Sequence, residues 1–141
     1  MKHLWKTILI VLMFSTLLIS CNANTYHWKF EKETSEVVKI EIVDAEDAYT
    51  YTVIKELDLT LIAELYADIE NLEMTRYGTN LKHPCEKCFL ITFQNNEYDI
   101  ISATEPKHVR YDEDNDLVGY NSWFKCNQEQ FDALLEKYMS L

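Results

Sequence analysis

Residues 36–43 alternate in character. Val38, Ile40 and Ile42 fall on one side of an extended chain and Lys39 and Glu41 on the other, which predicts a half-buried strand. The stretch Asp44 to Ala48 interrupts the alternation as a turn. Tyr49 to Lys55 resumes it, with Tyr49, Tyr51 and Val53 on one face, and the two strands are expected to pair as a hairpin. The period then changes to 3.6. Asp58 or Thr60 can cap a helix whose inner face is Ile62, Leu65, Tyr66, Ile69 and Leu72, with Glu64, Asp68 and Glu70 turned to solvent. Met74 to Tyr77 reads as a short strand and Gly78 to Pro84 as a loop.

Period-two alternation returns from Cys88 to Phe93, with Phe89, Ile91 and Phe93 on one face. Gln94-Asn95-Asn96-Glu97 is a tight turn, because asparagine tolerates positive φ. Tyr98 to Ala103 is the returning strand. A further hairpin joins Val109–Tyr111 to a strand over Leu117–Lys125 around the acidic turn Asp112 to Asp116. Asn127 caps a last helix, Gln130 stands at a capping-box position, and Phe131, Leu134, Leu135, Tyr138 and Met139 form its apolar stripe. The order is ββαβ, two hairpins, α. Strands joined by short turns run antiparallel, so the expected fold is α+β: a mainly antiparallel sheet with two helices packed on one face.

The N-terminus shows another pattern. Lys2 and Lys6 precede Ile8–Ile19, an apolar run of signal-peptide length and short for a membrane span. The run stops at Leu18-Ile19-Ser20-Cys21. This resembles the lipobox of bacterial lipoproteins, in which the cysteine receives a diacylglyceryl thioether and becomes the first residue after cleavage. The resemblance implies a signal peptide over 1–20, a lipidated tether over 21–35 whose Trp28 and Phe30 can dock on the domain, and a single domain over 36–141. Cys21 is then the lipidation site, carrying acyl chains of the palmitate type, and the domain sits on the extracytoplasmic face of the cell membrane. An ordinary secretory signal cut elsewhere, or an uncleaved anchor, would leave the same run of residues. One acyl chain holds a protein only marginally, at about 0.8 kcal/mol per buried CH₂, and two or more are needed for a stable anchor.

Composition narrows the partners. The 141-residue chain carries a net charge of −11, and residues 1–20 contain two of its 13 basic residues and no acid. The chain from Cys21 onward is therefore still more acidic, which excludes nucleic acid and anionic headgroups and favours cationic partners. Nine Tyr and six Phe beside only two Gly and two Pro argue for a folded domain instead of a disordered stalk.

Candidate chemistry concentrates at His83-Pro84-Cys85-Glu86-Lys87-Cys88, with Cys126 further along. Cys126 paired with Cys85 or Cys88 would be a structural disulfide. His83, Cys85, Cys88 and Cys126 together would make a zinc site, since Cys-x-x-Cys has zinc-knuckle spacing. A redox pair at Cys85 and Cys88 lacks the helix N-terminus that lowers a catalytic thiol's pKa. The acids Asp112 to Asp116 open like a calcium loop, but Leu117 and Trp123 replace the glycine and glutamate it needs, so a solvated turn is expected. Tyr51, Tyr77, Tyr98, Tyr111, Tyr120 and Trp123 either pack across strands or line an aromatic binding face. No nucleophile has a visible partner set, and His27, His83 and His108 are the only histidines beyond the leader.

From Tyr49 onward the chain resembles small, uncharacterised lipoproteins and exported domains of Firmicutes bacteria, through Arg76-Tyr77-Gly78, the stretch Cys88 to Ser102, and Phe131 to Met139. That resemblance implies fold and location, not an activity. The expected function is non-enzymatic: a lipid-anchored domain that needs no cofactor and binds a protein or peptide at the cell envelope. The alternative is a zinc-binding or thiol-active module built on Cys85, Cys88 and Cys126, and a purely structural or inhibitory role is compatible with the same sequence.

Overall fold

A computed structural model describes residues 27, 29–46, 50–76, 86–103, 108–121 and 124–141. In chain order the strands and helices are β1 (Val37–Ala45), β2 (Tyr51–Leu57), α1 (Ile62–Glu70), β3 (Met74–Arg76), β4 (Lys87–Phe93), β5 (Tyr98–Ile101), β6 (His108–Tyr111), β7 (Leu117–Asn121), β8 (Phe124–Cys126) and α2 (Gln128–Ser140). Six strands form one sheet in the order β2-β1-β4-β5-β6-β7, and β3 pairs with β8 in a small second sheet. Every pairing is antiparallel. The fold is α+β, as the alternation and short turns require.

Both helices lie on one face of the large sheet. Leu65, Tyr66 and Ile69 of α1 and Phe131, Leu134, Leu135 and Tyr138 of α2 share a single buried cluster with Ile40, Ile42, Phe89, Ile91, Phe93 and Ile101. Phe89 meets Phe131 and Tyr138 edge-on, with centroids 5.8 Å apart in each case, the geometry that aromatic quadrupoles favour. Side chains also tie the helices together. Lys137 Nζ lies 2.6 Å from both Glu64 Oε1 and Asp68 Oδ2, and the Tyr138 hydroxyl donates to Asp68 Oδ2 at 2.9 Å. Lys55 of β2 donates to the carbonyls of Tyr138 and Met139 at 3.3 and 3.0 Å. It places a cation at the negative end of α2.

Four local outcomes differ from expectation. In β1 the inward position at the strand's start belongs to Val37, while Val38 is 46% exposed. A bulge in the β1–β4 register between Val37 and Lys39 moves the inward phase by one residue before Ile40 and Ile42. The expected strand over 117–125 is two strands. The four residues of β6 are used up by β7, so Phe124–Cys126 finds its ladder on β3 instead. Gln130 closes no capping box: Asn127 Oδ1 accepts from the amides of Glu129 and Gln130, while Gln130 Oε1 accepts from the amide of Glu73 at 3.3 Å. Finally, β1 is not half-buried, because residues 40–43 are covered on the helix face and on the sheet's other face alike. Val43, Ala45, Cys88, Leu90, Ile100 and Tyr111 form a second buried cluster there. The central strand β4 carries a continuous apolar run, Cys88 to Ile91, the mark of a strand covered on both sides.

The turns behave as expected. Asn96 takes φ 63° between β4 and β5, where the Phe93 amide donates to Glu97 O at 2.9 Å. Asn115 takes φ 64° in the acidic turn, and Asp112 Oδ1 accepts from the amides of Asp114 and Asp116 at 3.0 and 2.9 Å. Those bonds consume one Asp112 carboxylate oxygen in holding the turn.

Candidate functional site

Neighbouring strands β5 and β6 place Asp99 directly opposite Arg110. Both point into the helix-covered side of the sheet, Asp99 fully buried and Arg110 8% exposed. Arg110 Nε donates to Asp99 Oδ1 at 2.7 Å and Nη2 to Oδ2 at 3.0 Å. This two-pronged pairing is what a desolvated guanidinium and carboxylate need if neither is to be left uncompensated. The guanidinium also lies over the Phe93 ring, 5.4 Å from its centroid. The hydrogen bond to Asp99 raises the Arg110 pKa above its ordinary value, against the opposing effect of burial. Arg110 is a fixed cation with one remaining donor group, Nη1.

That donor meets Glu31 Oε2 at 3.2 Å. The chain around Glu31 continues the contact. The Phe30 ring stacks on Tyr66 of α1, with centroids 3.7 Å apart and planes 8° from parallel. The Phe30 amide donates to Glu70 Oε1 at 3.1 Å, and His27 Nδ1 lies 3.1 Å from the Glu70 carbonyl oxygen. Lys32 pairs with Glu97 at 3.3 Å and Glu36 at 3.6 Å. The segment before β1 therefore lies against the end of α1 and the β5–β6 strands. Phe30 docks as its aromatic character suggested; Trp28 lies outside the described residues. Beneath Phe30, the Tyr66 hydroxyl is buried and has no hydrogen-bond partner among the described residues. Burial first, and the nearby Asp99 charge second, push its pKa upward.

Sequence reasoning did not single out Asp99, Arg110, Tyr66 or Glu31. The available signal was one charge inside each of two apolar strands, in Tyr98-Asp99-Ile100-Ile101 and Val109-Arg110-Tyr111. Pairing them requires the β5–β6 register, which the intervening loop does not encode by length.

The cysteine constellation is only partly described. Cys21, His83 and Cys85 lie outside the described residues. Cys88 and Cys126 are buried and do not meet: Cys88 packs in the outer-face cluster and Cys126 in the helix-side core. Burial, reinforced by the charges of Glu86 and Asp44, pushes the Cys88 thiol up to about 12. A thiol in that state is protonated at neutral pH and is a poor nucleophile. Among the described residues no cluster of three His, Cys, Asp or Glu can hold a metal ion, and no helix is long and apolar enough to cross a membrane.

The aromatic positions divide. Tyr98 and Tyr111 stack at 5.3 Å on the outer face, where Tyr111 is buried, so these two are packing residues. Tyr51 is exposed, on an edge of the sheet. Tyr77, Trp123 and the Tyr120 side chain lie outside what is described. Among the described residues the edge strand β2 is hydrogen-bonded to β1 alone, and along it Tyr51, Val53 and Ile54 are exposed, Val53 by 47%. Leu117 and Val118 are exposed on the opposite edge strand, β7. Compared with known proteins, the chain matches no family model, no curated protein and no solved structure.

Proposed function

We propose that this chain is a lipid-anchored, non-enzymatic binding domain of the cell envelope. Cys21 is its acylated residue, and the open edge of β2 receives an extended, basic segment of a partner protein or peptide. The observation that carries the binding reading is β2 itself: seven residues, Tyr51–Leu57, hydrogen-bonded on one side only among the described residues, with Tyr51, Val53 and Ile54 open to solvent. Sheet edges of monomeric proteins are ordinarily blunted by charge, proline or a covering segment. In β2 the one lysine, Lys55, is turned to the end of α2, and the apolar positions stand open beside it. An extended partner gains main-chain hydrogen bonds from such an edge and specificity from alternate side chains. The net charge of −11 sets the sign of the partner.

The anchor reading rests on the Lys2 to Cys21 pattern. The zinc- or thiol-active alternative has less support, because Cys88 and Cys126 pack in different clusters on opposite faces of the sheet.

The test is a titration of the full chain with labelled peptides that alternate valine with lysine or valine with glutamate. The lysine series binds and the glutamate series does not, and Val53→Lys abolishes binding while leaving the far-ultraviolet spectrum unchanged. Equal binding of both series, or binding that Val53→Lys leaves intact, contradicts the proposal.

A further inference from the structure

The contacts of Phe30 and Glu31 have the form of a bound ligand, and the domain builds their site from α1, β5 and β6. Arg110 is fixed by Asp99 through Nε and Nη2, which leaves Nη1 to whatever carboxylate lies beyond. Tyr66 is held by α1 with its ring face toward the segment, and Glu70 stands at the helix end as an acceptor. Three different recognitions converge on two consecutive residues: an amide on Glu70 at 3.1 Å, a ring on Tyr66 at 3.7 Å, and a carboxylate on Arg110 at 3.2 Å. We propose that this is a second peptide site, specific for an aromatic residue followed by an acid in a segment of a partner protein, and that Phe30–Glu31 occupies it in cis until such a segment displaces it.

Two observations favour a displaceable occupant over a fixed part of the fold. The Glu31 side chain is 79% exposed and reaches Arg110 through a single contact, and exposed ion pairs add little to stability. Tyr66 is only 7% exposed, and Phe30 offers its buried hydroxyl no acceptor. Among the described residues the cis segment thus leaves a buried donor unmet, which a structural residue would be expected to satisfy. Occupation in cis lowers the apparent affinity for any competing segment by the fraction of molecules that are open. The site is separate from the β2 edge, and its test does not depend on that reading or on lipidation.

The probe is a synthetic peptide of residues 25–36, labelled and titrated by anisotropy into the full chain. Into the unaltered chain it binds weakly. Into chains carrying Glu31→Lys or Phe30→Ala it binds at least about tenfold more tightly, because the cis occupant is removed. Peptides that themselves carry Phe30→Ala or Glu31→Lys lose that binding. Equal affinity for the altered and unaltered chains, or no binding to either folded variant, overturns the proposal. So does an unfolded Glu31→Lys chain, because it would make an exposed side chain an integral part of the fold. A dimer of the unaltered chain that Phe30→Ala abolishes would overturn the choice of a foreign partner in favour of a second copy.

Discussion

Replacing Asp99 with alanine strands Arg110 inside the protein. The two donors that Asp99 satisfies, Nε at 2.7 Å and Nη2 at 3.0 Å, would have no acceptor, and Arg110 is only 8% exposed. Breaking a buried pair by removing one partner costs about 3–5 kcal/mol. Arg110 keeps Glu31 and the Phe93 ring as partial compensation, which places the expected loss near the low end, about 3 kcal/mol. Removing both charges with side chains of similar shape, Asp99→Leu with Arg110→Met, leaves nothing uncompensated and is expected to cost less than about 1 kcal/mol. Urea unfolding of the unaltered chain, Asp99→Leu, Arg110→Met and the double substitution, read by tyrosine and tryptophan fluorescence, gives the double-mutant cycle directly. Single substitutions that each cost under about 1 kcal/mol, or a double substitution as costly as the two singles together, would refute the claim that this pair is desolvated and mutually dependent.

Three other outcomes are expected from the same sequence and geometry. Tyr66→Phe removes a buried hydroxyl that has no partner among the described residues, and should raise stability at neutral pH by about 1 kcal/mol. It should also blunt alkaline unfolding. The Tyr66 pKa is raised by folding, so the unfolded tyrosine ionises first, near its ordinary value of 10.0, and stability falls as pH rises past that point. Urea unfolding of both chains across the alkaline range checks both effects. Cys88 should resist iodoacetamide at a pH of about 8 in the folded chain and react once urea is added, because burial holds its thiol at about 12; labelling and mass spectrometry check this. In a bacterium that processes lipoproteins, labelled palmitate should enter the chain and be lost with Cys21→Ser; an intact, unacylated amino terminus on protein from the cell interior would end the anchor reading.

The sheet and helices were legible because their signals are local. The Phe131, Leu134, Leu135, Tyr138 stripe and the Asn127 cap define α2 within a dozen residues, and Phe89, Ile91 and Phe93 define the inward face of β4. Effects set by a partner strand were not legible. The bulge that exchanges Val37 for Val38 depends on how β1 meets β4, and the division of 117–126 depends on the shortness of β6 and the availability of β3. The same limit hid the Asp99–Arg110 pair, since opposite charges in two strands become neighbours only through register. The Cys-x-x-Cys spacing pointed to chemistry in a segment of which only Cys88 is described, and alternation along β4 sends that side chain away from the core that holds Cys126.

Hydrogen exchange along β2 tests the proposed binding mode most directly. With the alternating valine–lysine peptide at saturation, amides within Tyr51–Leu57 that face away from β1 should slow by about tenfold or more, as they enter a new ladder. Unchanged exchange along β2, or protection confined to β7 and the helices, would contradict the account.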